Sequence, residues 1–281
     1  MNDPFSSAPD TARSLLETFA AFGVHLPEGT GTVVLDLGAD PRCTAGLEIA
    51  KTDFERVVGG LRLILRALEQ TGGVIAAGVL FREHTRLLRR LLGRGGNLTL
   101  LHYRPRPGKD SEQILSRKLG AVRTVSAELC RAAFRAVYEE AAFCDRLIAV
   151  HHADGCRYVR APFGASCRQV LETLEDLPTP ARIVAGDLYS GTAVADPDAP
   201  LDDGVTALQL LTRRELPKSS PCIRCGTCMR VCPEGVKPFK VAQVRKTNLD
   251  HCTLCGKCTY YCPAQLPLAE RIAELKQEVT A

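Results

Sequence analysis

The chain has 281 residues, 45% of them hydrophobic, which is enough to bury a core in one large domain or two modest ones and excludes a disordered polymer. A net charge of +4 is too mild for a nucleic-acid footprint, and the longest apolar run, Val74 to Phe81, is far shorter than the roughly 18 to 20 residues that cross a membrane. The amino terminus, "MNDPFSSAPD", has neither the basic cluster nor the apolar stretch of a secretory signal, so a cytoplasmic location is expected. In such a setting thirteen cysteines point to metal ligands plus free thiols, since disulfide scaffolds are short secreted chains. The charge is uneven: from Arg213 onward there are twelve Lys/Arg against six Asp/Glu, a surplus of +6, while the remainder carries 24 against 26.

In chain order, a polar opening is followed by a helix candidate, "TARSLLETFAAFG", and by "TVVLDL", Thr32 to Leu37, a β-branched run between glycines that reads as a strand. Thr52 and Glu55 have capping-box spacing ahead of a helix whose Phe54, Val57, Val58, Leu61, Ile64, Leu65 and Leu68 share one stripe. Next come "GVIAAGVL" as a buried strand, "REHTRLLRRLLGRGG" as a basic amphipathic helix and "NLTLLHY" as a strand. This alternation predicts βαβ units and a parallel sheet. Two further helices are expected, in "GKDSEQILSRKLG" and, after Ser126, in "SAELCRAAFRAVYEEAAF". From Asp145 short strands, "RLIAVHH", "CRYVRAPFG" and "ARIVAGDL", alternate with turns, which predicts a small β-rich module. Pro217 and Pro221 mark a joint, beyond which "PFKVAQVRKTNLD" and "PLAERIAELKQEV" are helix candidates.

Eight of the thirteen cysteines fall in two copies of one pattern, C-x2-C-x2-C-x3-C-P: Cys222, Cys225, Cys228 and Cys232, then Cys252, Cys255, Cys258 and Cys262. This is the bacterial ferredoxin run for 4Fe–4S clusters. Closely spaced thiolates let a tight loop wrap a cubane, and Gly226 and Gly256 allow unusual backbone angles beside the sulfurs. In two-cluster proteins with this run the fourth cysteine ligates the other cluster. The expected sets are therefore Cys222, Cys225, Cys228 and Cys262 for one cluster, and Cys252, Cys255, Cys258 and Cys232 for the other. Zinc also accepts four cysteines, but its sites pair two separate C-x2-C knuckles and do not ask for a third evenly spaced cysteine. Arg224, Arg230 and Lys257 lie within or beside the loops, as solvated charges or as groups that raise cluster potential; His251 precedes Cys252. The remaining cysteines, Cys43, Cys130, Cys144, Cys156 and Cys167, share no spacing, and Cys130 reads as a small buried hydrophobe.

From "HLPEGTGTVVLDLGADPRCTAG" through "LHYRPRPGKDSEQILSRKL", "DRLIAVHHADGCRYVRAPFG" and both cysteine blocks, the chain resembles the RnfC-like family, the C subunits of the Rnf electron-transport complex and their relatives, themselves similar to the flavoprotein subunit of respiratory complex I. The resemblance implies an α/β fold in segments: residues 1–29, an α/β domain over 30–125 that is a degenerate form of the complex-I flavoprotein domain, a helix plus β-grasp (SLBB-like) module over 126–212, and a helical two-cluster ferredoxin domain over 213–281. Members that bind flavin mononucleotide (FMN) and NADH carry a glycine-rich phosphate loop before the first strand. None precedes Thr32 here, and Asp40 is the only carboxylate in the turn Gly38 to Gly46. Arg104, Arg106 and Lys109 occupy a family loop near the nucleotide and read as an exposed basic turn.

The expected cofactors are thus two 4Fe–4S clusters without FMN, and no catalytic residue is assigned. The function expected is one-electron relay between a redox partner, a flavoprotein or ferredoxin, and a reductase complex. Its partners would be redox proteins in a multi-subunit assembly, with no nucleic acid and no membrane span of its own, any membrane association running through a partner. The competing readings are an NADH-oxidising flavoprotein with an altered FMN site, and an adaptor whose β-grasp module holds a corrinoid or quinone.

Overall fold

Four parallel strands form the first sheet in the order β3-β2-β1-β4, where β1 is Thr32–Asp36, β2 Gly73–Gly78, β3 Leu98–Tyr103 and β4 Val122–Ser126. The computed structural model describes residues 11–38, 45–78, 89, 97–104, 111–177, 180, 182–186, 192–211, 221–241 and 249–280. Helix α1, Ala12–Ala21, starts where Thr11 Oγ1 accepts a hydrogen bond from Ser14 N. Two helices lie between β1 and β2: α2, Gly46–Thr52, and α3, Phe54–Ala67. The capping box expected from Thr52 and Glu55 does not form. Thr52 is the last residue of α2, and its hydroxyl donates to Glu48 O, which leaves it no role at the start of α3. The stripe itself is correct: Val57, Val58, Leu61, Ile64 and Leu65 are all buried.

Helix α4, Ser111–Leu119, leads into β4, and helix α5, Ala127–Tyr138, follows with Ser126 Oγ as its cap. Close packing of α3 on α5 depends on Gly60, where a Cβ would fall 1.6 Å from Cys130 O. Cys130 is fully buried there, as its alanine-rich setting predicted. The basic segment at 82–96 lies almost entirely outside the described residues, as do Asp40, Cys43, Arg106 and Lys109.

The second sheet has the order β6-β5-β9-β7-β8, with β5 Asp145–His152, β6 Gly155–Pro162, β7 Arg182–Ala185, β8 Thr192–Ala193 and β9 Ala207–Leu211. Helix α6, Cys167–Glu172, stands between β6 and β7 and opens on a complete capping box, Ser166 with Gln169. The first and last strands of this sheet are central and parallel, and β7 runs antiparallel to β9. A hairpin, a helix and a return to a central parallel strand make the β-grasp arrangement.

The carboxy-terminal residues are helical: α7 Thr227–Arg230, α8 Pro238–Val241, α9 Lys257–Tyr260 and α10 Leu268–Thr280. Their core contains Cys228, Val236, Leu249, Cys258, Leu268, Ala269 and Ile272. Contacts divide the chain into two compact units, one of Met1–Pro105, Ser111–Ile148 and Arg160–Phe163, the other of Arg106–Asp110, Ala149–Val159 and Gly164–Ala281, so the cysteine blocks and strands β7 to β9 share a unit. Among the described residues no helix is long and apolar enough to cross a membrane.

Candidate metal centre

The two cysteine blocks fold as near copies. Each loop passes through a residue of positive φ, Arg224 at +55° and Leu254 at +56°, then a glycine in the left-handed region, Gly226 at +72° and Gly256 at +76°. A single helical turn follows, closed by Met229 N to Gly226 O at 3.1 Å in one block and Thr259 N to Gly256 O at 3.1 Å in the other. Pro233 and Pro263 stand next to the fourth cysteines and cannot donate to a continuing turn.

Each loop wraps one of two cavities, and the membership of their walls crosses between blocks. The first is lined by Cys222, Cys225 and Cys228 together with Cys262 from the second block. The second is lined by Cys252, Cys255 and Cys258 together with Cys232 from the first. Each contains about 340 Å³ of space, counting the solvent at its mouth. Apolar side chains complete the walls: Ile223, Phe239, Leu266 and Leu268 in the first, Val236, Leu254 and Ile272 in the second, where Glu234 and Lys257 also reach the lining.

A tetrahedral zinc with sulfur at about 2.3 Å holds its thiolates about 3.8 Å apart. Among the described residues no group of three or more Cys, His, Asp or Glu side chains is gathered for a single ion. Four sulfur donors spread round a largely apolar cavity fit a larger thiolate-bound group, and none of the eight cysteines is in a disulfide.

The thiols differ in electrostatics. Burial pushes Cys258 up to about 12, with the neighbouring Cys255 and Cys252 adding to the effect. Burial also raises Cys228 and Cys232. Cys225 is exposed and shifts the other way: its sulfur lies 3.4 Å from Thr227 Oγ1, and that hydroxyl together with a backbone amide favours the thiolate. Arg230 braces the same loop, donating to Cys225 O at 3.0 Å and to Thr227 Oγ1 at 2.9 Å.

The second loop is held from outside its own block. Arg182 on β7 donates to Leu254 O at 3.1 Å and sits 3.6 Å from the Glu270 carboxylate. Thr259 Oγ1 donates to Glu270 Oε2 at 3.0 Å and accepts from Ala269 N at 2.8 Å, and Lys276 Nζ donates to Cys252 O at 2.7 Å. Sequence inspection missed Arg182: it stands 72 residues from Leu254, in a run that signals only a strand. Lys257 is 2% exposed, which its place among polar loop residues did not suggest, whereas His251 and Arg224 are exposed. Of the other cysteines, Cys130 and Cys167 are buried, Cys156 is half-buried and Cys144 is exposed, and none lines either cavity.

Residues 216–263 match the 4Fe-4S dicluster domain family, which makes this an iron–sulfur segment. The chain is 37% identical over 74 residues to the C subunit of the ion-translocating oxidoreductase complex of Rhodobacter capsulatus, a match covering 25% of this chain and 14% of that protein. It is 29% identical over 76 residues to the C subunit of the Na(+)-translocating ferredoxin:NAD(+) oxidoreductase complex of Acetobacterium woodii, covering 26% of this chain and 17% of that one. The chain thus spans a small part of the curated relatives it matches. Over the whole fold it is similar to a chain of the NAD+-reducing [NiFe]-hydrogenase in the air-oxidized state, with a TM-score of 0.62 at 14% identity, covering 98% of this chain and 63% of that one. The mixed α/β architecture with a parallel sheet is common to both.

Proposed function

We propose that the protein is an iron–sulfur electron-transfer subunit, holding one 4Fe–4S cluster on Cys222, Cys225, Cys228 and Cys262 and the other on Cys252, Cys255, Cys258 and Cys232. The observation that carries this reading is the crossed pair of four-thiol cavities, each built from three cysteines of one block and the last of the other. When bound, such clusters take up and give back one electron at a time. The chain's own part is to hold eight thiolates in apolar walls, to present backbone amides at the two glycine turns and to limit water around the second site. No general acid or base is required.

The same reading makes the chain one member of a multi-subunit redox assembly, working between a flavoprotein or ferredoxin and a reductase, as the proteins it is similar to are named as members of oxidoreductase complexes. It also leaves the α/β domain without FMN, on the ground that no glycine-rich loop precedes Thr32.

Anaerobic purification and reconstitution followed by iron, sulfide and flavin analysis tests the proposal. About eight irons and eight sulfides per chain with no flavin is the expected result. Four irons or fewer, or zinc in their place, refutes the two-cluster assignment, and stoichiometric flavin with NADH-dependent dye reduction refutes the relay.

A further inference from the structure

The two loops have the same backbone but differ at the middle cysteine, Cys225 being exposed and Cys255 buried, while Cys228 and Cys258 are buried alike. In the second, Cys255 and Cys258 are each 8% exposed and Lys257 2%, with Arg182 laid over Gly256 and Leu254. In the first, Cys225 is exposed, and so are its neighbours Ile223 at 62% and Met229 at 39%. Single exposed aliphatics are ordinary on a protein surface. These two differ in standing on either side of Cys225, the one exposed cysteine of the eight; Cys222, Cys232, Cys252 and Cys262 are half-buried. They are also among only five large hydrophobics that are exposed in the described residues.

Charge around this edge is one-sided. Arg224 and Arg230 are exposed within the loop, and Arg230 is fixed against Cys225 O and Thr227 Oγ1. Between residues 221 and 241 the chain carries Arg224, Arg230, Lys237 and Lys240 against the single carboxylate Glu234. A small aliphatic centre inside a basic rim has the anatomy of a transient protein interface, and its charge selects an acidic partner and speeds its approach.

We propose that the face formed by Ile223, Arg224, Cys225, Met229 and Arg230 is the docking port for an acidic one-electron carrier protein. The proposal rests on the two-cluster reading above. One electron leaves the carrier's centre and arrives at the group held by Cys222, Cys225, Cys228 and Cys262, or travels in reverse. No bond forms or breaks, and no proton moves. The second site, whose Cys255 and Cys258 are buried, then exchanges electrons with the first.

The test uses the full reconstituted chain, reduced with dithionite and mixed in a stopped-flow instrument with an oxidised acidic plant-type 2Fe–2S ferredoxin as probe. A basic c-type cytochrome serves as the opposite-charge arm. The second-order rate with the acidic probe is expected to fall as salt rises and to drop about tenfold in Ile223→Glu and in Met229→Glu. Leu16→Glu, a like change at an exposed position of α1, leaves the rate unchanged. Iron content and the electron paramagnetic resonance spectrum report loading in every variant, and if Ile223→Glu loses iron, Met229→Glu decides. A chain that takes up no iron overturns the two-cluster reading and the port with it. A fully loaded chain whose rate is indifferent to both port variants overturns the port alone, as does a rate with the acidic probe that rises with salt, or a Leu16→Glu effect as large as that at Ile223.

Discussion

Replacing each of the twin glycines by alanine separates backbone strain from the grip of Arg182. At Gly226, φ is +72° and an added Cβ meets nothing closer than Arg230 Nη1 and Met229 Cε, both at 3.6 Å. Its cost is that of holding an L-residue in the left-handed region, about 1–2 kcal/mol. Gly256 has nearly the same φ, +76°, but there the Cβ falls 2.9 Å from Arg182 Nη1 and 3.2 Å from its Cδ. Arg182 must swing away and give up its bond to Leu254 O and its contact with Glu270. A hydrogen bond from a charged donor is worth about 1.5–3 kcal/mol, and the partly exposed ion pair adds little. Gly256→Ala is therefore expected to cost about 2 kcal/mol more than Gly226→Ala. The readout is the rate at which an iron chelator bleaches the half of the absorbance held by the altered loop; if loop opening limits bleaching, each 1.4 kcal/mol is about a tenfold change. In an Arg182→Ala background the excess should vanish, because the contact it came from is gone. Equal rates for the two single variants, or an excess that survives the loss of Arg182, would refute the assignment of that grip.

Cys228→Ser is expected to lower the iron content from about eight to about four per chain, while Cys144→Ser, at an exposed cysteine that lines neither cavity, leaves it unchanged. Gly60→Ala puts a Cβ 1.6 Å from the backbone oxygen of Cys130, which no rotamer change relieves, so α3 and α5 must separate; a loss of about 2–4 kcal/mol is expected, read as reduced hydrogen-exchange protection of both helices. Burial alone would raise Glu139, but hydrogen bonds from Arg56 at 2.5 Å and Arg135 at 3.0 Å overcome it and hold the carboxyl below the usual range. A depressed folded-state value contributes stability above the unfolded value, about pH 4.3, and loses it as pH falls through the folded one. The protection that wild-type α5 amides hold over Glu139→Gln should accordingly be full near neutrality and shrink below about pH 4.

How far the sequence disclosed this structure depended on whether the deciding contact was local. The stripe in α3 and the Ser126 cap of α5 are set by residues within a few positions of one another, and both were legible. Strand β4 was not, because Val122–Ser126 is five residues long and runs into a helix with no turn residue between them; its partner, β1, lies some ninety residues earlier. Strand β9 was hidden in the same way, its place in the centre of the second sheet coming from β5 and β7. The cysteine sets expected for the clusters rest on the pairing rule of the motif and stay a proposal, one that the mixed lining of the two cavities supports. The difference in exposure between the loops was not legible, since it arises from Arg182 and from the packing that buries Lys257.

The crossing also ties cofactor acquisition to the packing of the carboxy-terminal core. Cys228 and Cys258 each line a cavity and at the same time belong to the apolar cluster with Val236, Leu268 and Ile272. Burial pushes the Cys258 thiol up to about 12, which favours its neutral form within this apolar cluster. If Cys258 is a cluster ligand as proposed, it would bind as a thiolate, with the metal's charge offsetting the cost of its burial. Cys225 differs, being exposed and shifted toward thiolate by Thr227, so the cysteines proposed as ligands differ in how readily they lose a proton.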